Sequence, residues 1–280
     1  MHRRYGQVFA MTLLVVAASI QAVPLAAEPI GKVLMMATTT STDNTGLLDY
    51  LAPALKKDTG IELRWTAVGT GKALELGKNC DVDVLLVHAP EAERKFVEEG
   101  FGLGRREVMY NDFVLVGPAS DPAGLKGKGV TDAVSLIRSR QMVFVSRGDD
   151  SGTHKKEQAL WRSAGLPMPE KEPWYLQAGQ GMLATLNMAA ERGGYTLTDR
   201  ATYIKYEDNH KGNPPLIILV EGDPGLLNQY SVIAVNPKKC PKARYESAMT
   251  FSDWIAGRRG QALIKDFKLL GKQLYVPNAK

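Results

Sequence analysis

Six of the eight residues from Thr38 to Thr45 carry hydroxyl groups: Thr38, Thr39, Thr40, Ser41, Thr42 and Thr45. They follow an apolar run, Val33-Leu34-Met35-Met36-Ala37, and precede a helical pattern. A second series, Ser146-Arg147-Gly148-Asp149-Asp150-Ser151-Gly152-Thr153, follows Met142-Val143-Phe144-Val145 in the same way. A helix N-terminus carries unpaired N–H groups and about +0.5 of a charge, which suits an anion. Hydroxyls in the same turn add neutral donors. Two such seats, one holding an arginine, point to an oxyanion clamped between two lobes. Thr38, Thr39, Thr40 and Ser41 are the ligand candidates of the first seat, with Asn44 or Thr45 as helix cap. In the second seat the planar Arg147 guanidinium is a bidentate donor for a doubly charged oxyanion, with Ser151 and Thr153 as hydroxyl donors. The other reading of Arg147 is a salt bridge to Asp149 or Asp150, which would repel an anion if they faced it.

Further turns are compatible with the same chemistry. In Val68-Gly69-Thr70-Gly71-Lys72, Thr70 and Gly71 form a second N–H cradle or a plain tight turn. The segment is no nucleotide loop. It lacks the GxxxxGK[ST] spacing, and Leu74 stands at the third glycine of GxGxxG. Ala178-Gly179-Gln180-Gly181-Met182 is either a glycine connection or a further group of donors. Asp150-Ser151-Gly152 invites a serine-hydrolase reading, in which Ser151 needs a positioned base and an orienting group. Beyond the N-terminal leader only His88, His154 and His210 are available, and no G-x-S-x-G elbow exists. His154 reads as a surface or supporting residue, while His88, at a strand end, is open. Trp65, Trp161, Trp174 and Trp254 fall on apolar patterns and read as core.

Positioning these residues requires a sizeable fold. Arg3 and Arg4, an apolar Val8–Ile20 stretch and Leu25-Ala26-Ala27 read as a signal peptide over 1–27. About 253 residues follow, enough for two modest domains. Removing Arg3 and Arg4 lowers the formal charge from +5 to +3. With no Lys/Arg block longer than two residues, a nucleic-acid surface is disfavoured. Cys80 and Cys240 are the only cysteines and form one disulfide or remain two buried thiols. Neither has a Cys or His at metal-site spacing, so no metal and no cofactor is expected.

Strand and helix patterns alternate three times from Lys32 to Glu99, which implies parallel βαβ units. The rhythm breaks at two long extended runs, Arg106–Val116 and Gln229–Val235, read as hinge crossings. The expected fold is α/β and two-lobed, each lobe a mixed, mostly parallel sheet flanked by helices. Lobe one covers 28–112 plus 230–280 and lobe two 113–229. Pro53 should kink the helix around Leu47–Leu55. Both hydroxyl series lie at C-terminal strand ends, where open sheets bind ligands.

The ordered set Ala37–Leu48, Val68–Gly71 and Ser146–His154, with the Ala178–Met182 turn and Tyr195-Thr196-Leu197-Thr198-Asp199, resembles the TupA-type tungstate-binding proteins of bacterial ABC importers. The resemblance implies a type II periplasmic-binding-protein fold, a periplasmic location, capture of tungstate or molybdate, and delivery to an ABC membrane permease. It places ligand contacts on Thr38–Ser41 and Arg147, with Thr70, Ser151 and Thr153 as further donors. The expected protein is a monomeric binder without catalytic chemistry. A phosphate or sulfate binder of the same fold is the near rival, and Asp149 or Asp150 facing the cleft would favour phosphate.

Overall fold

A computed structural model describes residues 32–280, and the expected signal peptide lies outside that range. The first strand, β1 (Lys32–Thr39), runs two residues past the apolar stretch and ends inside the threonine series. Thr39 then caps a single helical turn, α1 (Thr40–Asp43), its oxygen accepting from the Thr42 N–H at 3.3 Å. This corrects the cap expected at Asn44 or Thr45. The next helix, α2 (Leu47–Thr59), is entered through Gly46, whose φ of 78° suits glycine. Thr45 still serves the start of α2 from one residue earlier: its hydroxyl donates to the Thr42 carbonyl at 2.6 Å and its oxygen accepts from the Leu47 N–H at 3.2 Å. Helix α2 continues through Pro53. Leu47, Leu48, Leu51 and Leu55 bury one face of that helix. Each such side chain contributes ~1.5–3 kcal/mol, comparable with the cost of one interior proline.

There follow β2 (Ile61–Val68), α3 (Thr70–Lys78), β3 (Val84–Val87), α4 (Pro90–Glu98) and the 17-residue β4 (Gly102–Pro118). The second half of the chain supplies α5 (Val130–Ser139), β5 (Phe144–Ser146), α6 (Gly152–Ser163), β6 (Tyr175–Gln177) and α7 (Met182–Glu191). Then come β7 (Thr196–Asp199), α8 (Arg200–Asn209), β8 (Leu216–Val220) and β9 (Leu227–Val235). The chain closes with α9 (Tyr245–Ala256), α10 (Arg258–Asp266) and the short strands β10 (Lys268–Leu269), β11 (Lys272–Gln273) and β12 (Val276–Pro277).

The first lobe's sheet runs β12-β4-β9-β3-β1-β2. Its βαβ part, β2-β1-β3, is parallel, and the antiparallel pairs arise where β9, β4 and β12 join. Past Asp112, β4 leaves this sheet and pairs with β7 and β8 instead. Parallel β5 and β6 lie beside Tyr195. Strand β4 thus passes from one sheet into the other, the chain returns between β8 and β9, and β4 and β9 pair up to Asn111↔Asn228 and Asp112↔Leu227. The molecule is a two-lobed α/β fold with mixed sheets.

One core gathers Leu34, Met36, Leu51, Val84, Val232 and Phe251, with Ala37, Leu85, Phe96 and Ile233 on the opposite sheet face. The other gathers Phe113, Leu115, Ile137, Trp161 and Tyr195, with Val114, Val145 and Leu186 across its sheet. Helix α8 serves both. Ala201 and Ile204 join the first core, and Tyr203 and Tyr206 join the second. Cys80 and Cys240 form a disulfide, Cα atoms 5.3 Å apart, tying the end of α3 to the segment after β9. The tryptophans are core residues: Trp161 and Trp174 are buried, and Trp65 and Trp254 pack half-buried on the first core.

Candidate functional site

The two hydroxyl series and the Gly69–Gly71 turn meet in one cavity of about 370 Å³. Thr39, Thr40, Ser41, Thr70, Gly71, Arg147, Ser151 and Thr153 all line it. Thr38 does not. Its hydroxyl donates to the Leu86 carbonyl at 2.8 Å, binding β1 to β3, and its side chain is fully buried. The periodicity explains the difference, since Thr38 is still in a strand and alternate side chains point to opposite faces.

Thr39 is the centre of the first series. Its Oγ1 lies 2.7 Å from Thr42 Oγ1, 3.1 Å from Ser41 Oγ and 3.0 Å from His88 Nε2. The other ring nitrogen, Nδ1, donates to Asn228 Oδ1 at 2.9 Å. Asn228 in turn donates to Asn111 Oδ1 at 2.7 Å. Burial pushes the His88 imidazole below its usual value, against the Asn228 hydrogen bond and the Asp199 charge.

Thr70 stands at the start of α3, whose N-cap Gly69 offers no side chain to the turn's N–H groups. The residue is 2% exposed, and its Oγ1 is buried with no hydrogen-bond partner. Such orphans are rare in folded proteins, because each costs about 1–3 kcal/mol.

Arg147 comes from the opposite lobe, and its turn is built on a buried carboxylate. Glu157 Oε2 accepts from the Ser146 hydroxyl at 2.5 Å, and Oε1 accepts from Tyr175 at 2.6 Å and Trp161 at 3.1 Å. Burial raises the Glu157 pKa, and the Ser146, Tyr175 and Trp161 hydrogen bonds oppose that rise. Gly148 has φ 58°, and a Cβ there would stand 2.8 Å from Gln177 Cβ, so only glycine fits this turn. Arg147 Nε donates to Asp149 Oδ2 at 3.0 Å, and Nη2 meets the same oxygen. This contact occupies two of the five guanidinium N–H groups. Asp149 Oδ1 accepts from the Ser151 N–H at 3.1 Å. Burial alone would raise the Asp149 carboxyl, but Ser151 and Arg147 outweigh it and hold it below the ordinary carboxylate value.

Arg147 is thus salt-bridged to Asp149 and also lines the cavity. Asp150 also borders the cavity, with Oδ1 on Lys155 Nζ at 2.5 Å. Lys72 and Arg147 against Asp149 and Asp150 leave the lining with no net formal charge. Ser151 caps α6, its oxygen accepting from the His154 N–H at 3.3 Å. His154 is buried, not on the surface, and its Nδ1 accepts from the Asp150 N–H at 3.0 Å. Among the described residues no imidazole nitrogen bonds Ser151 Oγ, and no cluster of three His, Cys, Asp or Glu side chains could hold a metal ion.

A second cavity of about 300 Å³ shares Thr40, Ser41 and Arg147 with the first. It continues to Asn44, the α7 start at Gly181–Ala184, and Asp199, Thr202 and Lys205 of the β7–α8 corner. The Ala178–Met182 turn thus reaches the cleft with Gly181 and Met182, while Gln180 does not line it. Lys205 Nζ donates to the Asn44 carbonyl across the cleft. The sequence marks β7 through Tyr195–Asp199 but not α8 with its Thr202 and Lys205, since a helix packed on two cores shows no single apolar stripe. The aligned Asp199 cap, accepting from the Thr202 N–H at 2.9 Å and its hydroxyl at 2.7 Å, was the available signal.

The cleft also marks out what this chain is similar to. The family model described as "PBP superfamily domain" matches residues 26–259. The tungstate-binding protein TupA of Campylobacter jejuni is 51% identical over 240 residues, covering 86% of this chain and 89% of that protein. The solved structure of the tungstate-binding protein TupA from Desulfovibrio alaskensis is 65% identical with a TM-score of 0.84, covering 89% of this chain and 100% of that one. A structure described as the tungstate ABC transporter from Geobacter sulfurreducens is 48% identical with a TM-score of 0.74, covering 84% of this chain and 98% of that one. With two lobes, two crossings and relatives this similar along nearly their full length, the chain belongs to the PBP superfamily, in the family of the TupA tungstate-binding proteins.

Proposed function

We propose that this chain is a periplasmic solute-binding protein that captures tungstate, and molybdate with it, between its lobes for an ABC permease. The carrying observation is the Thr70 hydroxyl, buried without a partner in the cavity that Arg147 also lines. Tungstate near neutral pH is a tetrahedral dianion with no proton to give, so it asks for donors. Thr39, Thr40, Ser41, Thr70, Ser151 and Thr153 supply hydroxyls, the Gly71 turn supplies N–H groups, and Arg147 supplies charge. Fixed dipoles of this kind replace hydration without further reorganisation. Hinge motion at β4 and β9 closes residues 28–112 plus 230–280 onto 113–229. The bound form then differs in shape from the free one, which is what a permease reads. The chain acts as a monomer, is exported by a cleaved leader, and carries out no chemistry on its ligand.

A phosphate site has one observation in its favour, the two aspartates bordering the cavity. Asp149, however, already accepts from Arg147 and Ser151, and Asp150 from Lys155. Competition calorimetry of the mature protein with tungstate, molybdate, sulfate and phosphate tests the proposal. Tungstate should bind at least ~100-fold more tightly than sulfate or phosphate, a difference of about 2.7 kcal/mol. Equal or tighter phosphate binding would overturn it.

A further inference from the structure

His88 joins the two things that capture requires, the hydroxyl series and the strands between the lobes. Asn228 lies on β9 in register with Asn111 on β4, and its amide donates to Asn111 and to the Tyr230 hydroxyl. Its Oδ1 is therefore the atom that faces His88 Nδ1 and accepts. That fixes the imidazole proton on Nδ1 and leaves Nε2 as an acceptor toward Thr39 and Ser41. Thr39 Oγ1 already accepts from the Thr42 N–H and touches the Thr42 hydroxyl. His88 Nε2, 3.0 Å away, can take its single proton, and in that arrangement the neutral imidazole withholds the donor from a ligand. An imidazolium reverses this arrangement. Its Nε2–H donates to Thr39 Oγ1, and the hydroxyl proton becomes free to turn.

Charge favours the reversal when a dianion is present. The formal charges of the cavity lining cancel, so two negative charges would enter with nothing to balance them. The Asp199 charge acts on His88, and the Tyr230 ring centroid is 4.7 Å away with its phenol pushed up by burial. On the far side a third cavity brings Glu91 and Arg94 from α4, and Lys155 and Lys156 from α6. Burial lowers the His88 pKa and keeps the imidazole neutral in the free protein, and the field of an entering dianion acts in the opposite sense, favouring the imidazolium.

We propose that His88 is a positioning residue that couples oxyanion capture to uptake of one proton from solvent. The imidazole becomes imidazolium beside the bound dianion, and Thr39 turns its hydroxyl from His88 to the ligand. The coupling rests on the oxyanion function proposed above. It predicts tighter binding as pH falls from about 8 to 6, by about fivefold or more, the lower end of ordinary coupling between sites.

The test is calorimetry of the mature protein with sodium tungstate at about pH 7, in two buffers of different ionisation enthalpy. The expected result is net proton uptake by the wild-type protein, retained in His154→Gln and lost in His88→Gln, with a flat pH profile for the latter. His88→Gln keeps a polar group at the Nε2 position and removes the titration. Tungstate binding with no proton uptake would overturn the coupling and leave the proposed function standing. Uptake that persists in His88→Gln would overturn it too, by assigning the proton elsewhere. Absence of tungstate binding at any pH would overturn the proposed function itself, and the coupling with it. The wild-type measurement stands whether or not the variant folds.

Discussion

Replacing Thr70 by valine should move stability and affinity in opposite directions. The hydroxyl is buried and unpartnered, so the free protein bears the cost of desolvating it, about 1–3 kcal/mol. Valine has the same branched shape and rotamer preference and leaves no polar atom there. The free protein should therefore melt higher. For a protein of this length each kcal/mol raises Tm by about 2–4 °C, so the gain should be about 2–12 °C. A hydrogen bond to a charged ligand contributes about 1.5–3 kcal/mol, so tungstate affinity should fall about 10- to 150-fold. Scanning calorimetry without ligand and titration calorimetry with tungstate read the two effects separately. A loss of both stability and affinity would mean that the hydroxyl supports the fold. Unchanged affinity would remove Thr70 from the ligand's partners and with it the observation on which the function rests.

Arg147→Ala should weaken tungstate binding about 10- to 150-fold, because a charge-assisted contact is lost, and the same titration would show it. Gly152→Ala places a Cβ 3.0 Å from His88 Cε1, a ring held on both sides by Asn228 and Thr39. Binding should weaken while the melting temperature of the free protein stays within about 2 °C, since the obstruction lies between lobes. Reducing Cys80–Cys240, which closes a separation of 160 residues, should cost about 4–5 kcal/mol and lower Tm by about 10 °C or more in a melt with dithiothreitol.

Local chemistry was legible in the chain. The apolar runs became strands, and their C-terminal ends carry the turns that line the cavity. The series at Thr38–Thr45 and Ser146–Thr153 stood out because more hydroxyls were present than one helix cap needs. The lengths of β4 and β9 were visible as extended runs without helical period. Less legible was each hydroxyl's own duty. Thr38 and Thr39 are adjacent and chemically identical, yet one ties β1 to β3 and the other faces His88. Helix α8 escaped notice because its apolar residues face two cores.

Residue type and spacing thus determined that donors would gather at strand ends, that an arginine would stand among them, and that two crossings would join two lobes. Those properties follow from side-chain chemistry and from periodicity along the backbone, which are short-range. Only the tertiary structure decided that Thr70 is orphaned, that Arg147 is shared with Asp149, that the cysteines pair and that His88 bonds Thr39 on one side and Asn228 on the other. Each of these is a contact between groups distant in the chain or a competition among several partners. A hydrogen bond formed with one group is unavailable to another, and that allocation is settled only when the whole fold closes.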